Sequence, residues 1–341
     1  MAMTFKWAAA FVLAASVSTA ASAEDAKAVP VSTNASAVAS SSDTISRAAA
    51  VYGTFHSDVG ELKSQPLQSA RDITTALDNL GGQNAGELSN GWLAYSALVA
   101  SQSPEFRAAV RDIEGFYGRD RVMLGFRNDM GYARTLEGGG LAVNAALTAT
   151  DADSRRLSSA ASYVKEQAYT LQGSSWAKAR IGNTDGIVTK LNSASKAGRA
   201  PSATVMSALQ SPSIDGALTQ AGGSSSASLW DGVMDAATGV RFPSLRNPSL
   251  TARRASIRQG REQIADRIAT LAAYRVMGVD DETAGQISAA MADTETSSCI
   301  RRSQLNLQQC VAAAHQQYEL PFCIGEHALQ DVGECIGDVT N

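Results

Sequence analysis

Aromatic residues, excess basic charge and long apolar runs are all scarce in this chain of 341 residues. Aromatics make up only 6% of it, and small residues, above all Ala, take their place. Ala favours helices and is a poor strand former. Lys and Arg (29) do not outnumber Asp and Glu (33), so the basic excess typical of a nucleic-acid-binding protein is missing. Because no segment shows a clean alternation of apolar and polar residues, the sequence predicts an all-α protein, a multi-helix bundle or irregular helical array.

The motifs of several enzyme classes are also missing. There is no Gly-x-Ser-x-Gly, no His-Glu-x-x-His, no Cys-x-x-Cys and no Gly-rich nucleotide fingerprint. Histidine, the most common acid–base residue, occurs three times, and we expect His56 to face solvent or to be satisfied by its neighbours. The sequence predicts no cofactor and assigns a catalytic role to no particular residue. It favours a non-catalytic binding or structural protein of the cell envelope, with an unidentified protein or envelope component as its partner.

Carboxylates leave one enzymatic alternative open. Two acidic side chains that flank a bond in a cleft can hydrolyse a polymer such as peptidoglycan. The candidates are four scattered carboxylates: Glu87, Asp112, Glu114 and Glu137. Nothing in the sequence pairs two of them or buries one, so an envelope enzyme remains an alternative that only the tertiary structure can support.

The N-terminus has the order of a secretory signal peptide. Lys6 precedes an apolar stretch over residues 7–17, and Ala21-Ser22-Ala23 provides the small residues of a cleavage site. We expect residues 1–23 to be removed and the mature chain to begin at Glu24. The apolar stretch is too short for a transmembrane span, and no Cys near the cleavage point offers a lipid anchor. The Ala/Ser-rich residues 24–42 then predict a disordered leader, and the expected location is the periplasm.

Regular apolar spacing predicts several helices in a domain over residues 43–290. The clearest stripe steps by four, three and four residues: Leu88, Trp92, Tyr95 and Val99. Ser103 followed by Pro104 predicts the N-terminus of the next helix.

Three further helices are predicted with definite starting points. One begins at Pro66, one is capped by Asp151 or Asp153, and one follows Ser249, ends at Gly278 and is roughly 40 Å long. Residues 119–140 and 173–248 are rich in Gly and carry no clear period. Within the second of these regions, residues 222–226 predict a flexible joint.

All four cysteines lie near the C-terminus and are predicted to form two nested disulfides. The sequence midpoint of Cys310 and Cys323 and that of Cys299 and Cys335 differ by half a residue, and both lie at the same bend beside Pro321. In an antiparallel helical hairpin, residues equidistant from the bend face each other. An exported chain is expected to oxidise such cysteines, so residues 291–341 predict a disulfide-stapled hairpin. The local pairing of Cys299 with Cys310 and of Cys323 with Cys335 is the alternative.

This layout resembles the twin-cysteine hairpins of the coiled-coil-helix-coiled-coil-helix family, although the spacings here are wider than those of that family. Cys323 and Cys335 are twelve residues apart, which places them about 120° out of phase on a regular helix. We expect Gly325 or Gly333 to absorb that offset. A metal site is a further alternative, in which His315 and His327 join cysteine thiolates around zinc or copper.

Overall fold

The computed structural model describes residues 43–211, 214–223, 228–231, 255–279 and 284–340. The predicted signal peptide (1–23) and leader (24–42) lie outside these residues, as do residues 224–226 of the predicted joint. The described residues are mainly helical and contain no strand, only two isolated bridges, Arg180–Gln316 and Ile257–Thr340. The all-α prediction is therefore confirmed. No helix among the described residues combines the length and the hydropathy needed to cross a membrane.

Within the described residues, fifteen α-helices and one π-helix have defined bounds. The helices of the first half are α1 (Asp43–Ser64), α2 (Ala70–Gly81), α3 (Ala85–Ala100), α4 (Pro104–Tyr117), α5 (Arg119–Asn128), α6 (Tyr132–Thr135) and α7 (Gly139–Leu171). Those of the second half are α8 (Thr184–Ala197), α9 (Ala203–Gln210), α10 (Ile214–Ala221), α11 (Glu262–Met277), α12 (Ala284–Met291), α13 (Thr294–Ala313), α14 (Glu319–Cys323), the π-helix (Ile324–Gln330) and α15 (Asp331–Gly337).

Helix α3 lies at the centre of the array and is buried on almost all faces. It packs against α1, α7, α11 and α13, so residues outside the predicted stripe, such as Leu93 and Leu98, are also buried. A helix that is apolar all round is expected to occupy such a position. Gly91 permits the close approach of α1, because a Cβ at this position would lie 2.7 Å from the carbonyl oxygen of Ala48.

The longest helix, α7, begins earlier than predicted. A cap at Asp151 or Asp153 was wrong, because both residues lie inside a helix of 33 residues that starts at Gly139. Gly138, with φ +74°, supplies the left-handed conformation at its N-terminus, and the Ala-rich residues that follow continue the helix without a break. The apparent cap residue Asp153 is instead fully buried in the interior.

Two other predicted starting points were also wrong. Helix α2 begins at Ala70, not at Pro66, because the side chain of Ser69 caps it by accepting a hydrogen bond from the backbone of Asp72. Helix α11 begins at Glu262, so it is about 24 Å long rather than 40 Å. Its end at Gly278, with φ +62°, is as predicted. In the described parts of the irregular regions 119–140 and 173–248, the Gly content concealed the helices α5, α6, α8, α9 and α10.

The C-terminal hairpin has the nested disulfides that the spacing predicts. The outer disulfide joins Cys299 to Cys335, and the inner disulfide joins Cys310 to Cys323, with Cα–Cα distances of 5.6 and 5.7 Å. The local alternative is therefore excluded. The hairpin packs along α7 through α14, the π-helix and α15.

The phase offset in the second arm is absorbed by the π-helix. With i→i+5 hydrogen bonds, seven residues at roughly 4.4 per turn followed by five at 3.6 complete about three whole turns. Cys335 therefore returns to the face of Cys323. Gly325 lies within this π-helix, and it also allows close packing, because a Cβ there would lie 2.7 Å from the side chain of Lys165 on α7.

Candidate functional site

The carboxylates considered from the sequence do not form a catalytic pair. Asp112 and Glu137 are exposed, and Glu114 forms an ion pair with Arg119 at 2.7 Å. Glu87 is part of the lining of the cleft described below. The arrangement that a polymer hydrolase requires, with two convergent acids, is not formed by these four residues.

The predicted alternative of a Cys/His metal site lacks its thiolates. All four sulfur atoms are consumed by the two disulfides. His315 is exposed, and His327 forms a hydrogen bond with Asp331 at 2.9 Å. Within the described ranges, no group of three or more His, Cys, Asp or Glu side chains is placed to hold a metal ion.

A cleft of about 430 Å³ opens between α1, α3 and the loop that follows α8. This volume lies within the range of small-ligand sites. Its apolar surface comes from small and medium side chains: Ala48, Val51, Ala197, Ala200, Pro201 and Met291. Three charged residues line it, namely Arg47 on α1, Glu87 on α3 and Arg199 in the loop. Both signs of charge thus surround one apolar floor.

Arg199 joins the cleft to a buried carboxylate. Its guanidinium forms an ion pair with Asp58, which is only 7% exposed. Burial raises the pKa of Asp58 to about 7, against the opposing effect of the Arg199 charge. The contact fixes Arg199 at the edge of the cleft, because a buried carboxylate needs a positively charged partner.

The loop 198–202 lies close to α3 at one end and is hydrogen-bonded to α1 at the other. At one end, Gly198 has φ +74°, and a Cβ added there would overlap the carboxylate of Glu87. At the other end, the backbone N–H of Ser202 donates to the Thr54 hydroxyl at 2.8 Å. The cleft wall is therefore in contact with both α3 and α1.

A second polar site lies in the interior, and we call it the Asp153 cluster. The Asp153 carboxylate accepts three hydrogen bonds, from Tyr52 Oη at 3.0 Å, Ser228 Oγ at 2.5 Å and Trp230 Nε1 at 3.0 Å. Burial raises its pKa to about 7, and the three hydrogen bonds only partly oppose that increase. Arg156, which forms an ion pair with Asp231 at 2.7 Å, completes the cluster beside His56.

His56 is fully buried in this cluster and contacts Arg156, so of the two expected arrangements the solvent-facing one is wrong and the one with a neighbouring partner is found. Its Nδ1 lies 3.1 Å from Nη1 of Arg156. Since a guanidinium can only donate, Nδ1 must accept and the proton resides on Nε2. Burial and the Arg156 charge hold the pKa of His56 well below its ordinary value, so the ring is neutral. It stacks on Trp230 with ring centroids 5.5 Å apart.

The sequence contained a partial sign of this cluster. Tyr52 and His56 are four residues apart, and Asp153 and Arg156 are three apart, so each pair shares one face of its helix. Nothing local identifies Trp230 as their common partner, because it lies 77 residues beyond Asp153.

No family model matches this chain, and comparisons with curated proteins and with solved structures found no match.

Proposed function

We propose that the protein is a non-catalytic binding protein of the periplasm, and that a peptide-bearing component of the cell envelope occupies the cleft. The observation that carries this proposal is the combination of Arg47, Glu87 and Arg199 around one apolar floor. The peptide stem of such a component presents its C-terminal carboxylate for an Arg and a side-chain ammonium for a Glu. Charge-assisted hydrogen bonds of this kind are stronger than neutral ones.

A binding role is favoured over a catalytic one by what lines the cleft. Its lining contains one carboxylate, Glu87, and includes neither histidine nor cysteine. Polymer hydrolysis through carboxylates uses two acids that flank the scissile bond, and this lining provides only one. Asp153, which is a fully buried carboxylate, lies in the interior and is not part of the cleft lining.

A location outside the cytoplasm is supported by two independent features. The first is the predicted signal peptide that ends at Ala23. The second is the pair of disulfides, which form and persist in oxidising compartments. For a bacterial envelope protein, that compartment is the periplasm.

The proposal is tested with the mature chain that begins at Glu24 and with soluble muropeptides released from purified peptidoglycan. Isothermal titration calorimetry should detect binding, and Arg47→Glu should weaken it by roughly tenfold or more through the loss of one charged contact. Arg47 is exposed, and a circular dichroism spectrum of the variant that matches that of the parent shows that the fold is retained.

Arg111→Glu is the matched control, because Arg111 is also exposed but does not line the cleft. It should bind like the parent protein. The absence of muropeptide binding by the parent, or equal weakening by both substitutions, would contradict the proposal.

A further inference from the structure

The described segment 228–231 packs between α1 and α7. Its Trp230 is 1% exposed, and its indole N–H and the Ser228 hydroxyl both donate to Asp153. Asp231 at its end is bound by Arg156. Three polar contacts and one aromatic stack therefore fix the position and the orientation of the Trp230 ring.

The opposite edge of this ring reaches Gly53 on α1. A Cβ added at Gly53 would lie 2.7 Å from Cζ3 of Trp230 and also 2.7 Å from Cγ1 of Val205. Two side chains from distant parts of the sequence thus converge on one point of the α1 backbone. Only a residue without a side chain leaves room for both, because real Cβ contacts are never this short.

Val205 links this point to the cleft. It is buried on α9, which begins at Ala203, directly after the loop 198–202. The same loop carries Arg199 into the cleft lining, and its Ser202 N–H is bonded to Thr54, the neighbour of Gly53. A shift of Val205 toward Gly53 would therefore move the cleft wall relative to α1.

We propose that Trp230 is a positioning residue for the cleft. Its indole is hydrogen-bonded to Asp153 and fills the space at Gly53, so it keeps Val205 in place and thereby fixes the loop that presents Arg199. The inference rests on the proposed function, since it assigns Trp230 a role in the shape of the binding site. Packed interiors transmit such displacements, because they contain few voids that could absorb them.

Hydrogen–deuterium exchange, resolved to single amides by NMR, tests the inference without any ligand. In Trp230→Ala, the Ser202 amide should exchange roughly tenfold or more faster, because its bond to Thr54 opens more often. Amides of α13, which lies in the disulfide hairpin, should keep their rates. Trp230→Phe keeps a ring against Gly53 while it removes the indole N–H, so it should restore most of the protection.

Trp176→Ala is the matched control, because Trp176 is half-buried and does not contact Gly53. It should leave the Ser202 amide unchanged. An unchanged Ser202 rate in Trp230→Ala would overturn the inference, and so would a uniform increase over the whole chain, which marks general destabilisation. Because no muropeptide is present, a failure of the proposed binding function would leave this result unaffected, and the two failures are distinguishable.

Discussion

The substitution Asp153→Asn should remove a specific pH dependence of stability. Asp153 has a pKa of about 7 in the folded protein because it is buried, against an ordinary value of 3.8. Between these values the folded protein keeps a proton that the unfolded chain has lost. The free energy of unfolding therefore rises as the pH falls, and this contribution is lost as the pH rises through 7.

The size of the effect follows from the shift. One pKa unit corresponds to about 1.4 kcal/mol, so a shift from 3.8 to about 7 amounts to about 4 kcal/mol. Between pH 5 and pH 8, linkage gives roughly 2.5 kcal/mol of this total. Asn resembles the protonated acid, because its oxygen can accept from Tyr52 and Trp230 while its amide donates to Ser228. The variant should therefore lack the pH-dependent contribution without losing the hydrogen-bond pattern.

Urea unfolding, followed by tryptophan fluorescence and circular dichroism from pH 5 to pH 8, provides the measurement. The free energy of unfolding of Asp153→Asn minus that of the parent should increase by roughly 2.5 kcal/mol over this range. Taking the difference cancels Asp58, whose pKa is also about 7. The depressed pKa of His56 has the opposite effect, with stability lost as the pH falls below 6.5, so it does not produce a loss of parent stability with rising pH.

Asp112→Asn is the control, since this carboxylate is exposed, and its profile should run parallel to that of the parent. If the Asp153→Asn profile is also parallel, the buried carboxylate does not titrate in this range. That outcome would mean that the three hydrogen bonds offset the effect of burial on the pKa of Asp153, and it would refute the reasoning.

Further predictions concern the disulfides and two glycines. Replacing both cysteines of the inner disulfide by Ala should lower the free energy of unfolding by about 3 kcal/mol, and the same change in the outer disulfide should lower it by about 4 kcal/mol. The outer loss is larger because the sequence separation is 36 for the outer pair and 13 for the inner pair. Urea unfolding of each variant checks this order, and a larger loss for the inner pair would contradict it. Gly198→Ala should destabilise the protein by about 1–2 kcal/mol and displace Glu87, since Gly198 has φ +74° and no space for a Cβ. Gly140→Ala is its control and should stabilise α7 by roughly 0.5–1 kcal/mol, because a Cβ there meets nothing within 4 Å; thermal unfolding of both variants distinguishes the two signs.

Local sequence patterns were sufficient wherever the determining contacts are close in the chain. The apolar stripe of α3 and the stop of α11 at Gly278 depend on residues within a few turns, and both are as predicted. The disulfide pairing was predictable for a related reason. One bend relates both pairs, so the order of the cysteines around it determines which of them face each other.

Boundaries failed where tertiary contacts override a local preference. Asp is a residue type that often caps helices, but the partners of Asp153 are Ser228 and Trp230, which are 75 and 77 residues away. Because these partners bury it, Asp153 accepts hydrogen bonds in the interior of a helix instead of capping a helix N-terminus. In the Gly-rich regions the sequence pattern missed helices that do form. Packing against α1 and α11 stabilises helices such as α6 and α9, which are too short to form alone.

The sequence by itself determined the helical class, the predicted export signal and the C-terminal pairing, because each depends on composition or on spacing along the chain. Only the tertiary structure decided where a candidate site lies. The cleft gathers residues from four separate stretches, at positions 44–51, 87–90, 197–201 and 291, and none of them carries a motif. Their proximity results from the packing of α1 against α3 and α9, and such packing depends on contacts between residues far apart in sequence that no local pattern specifies.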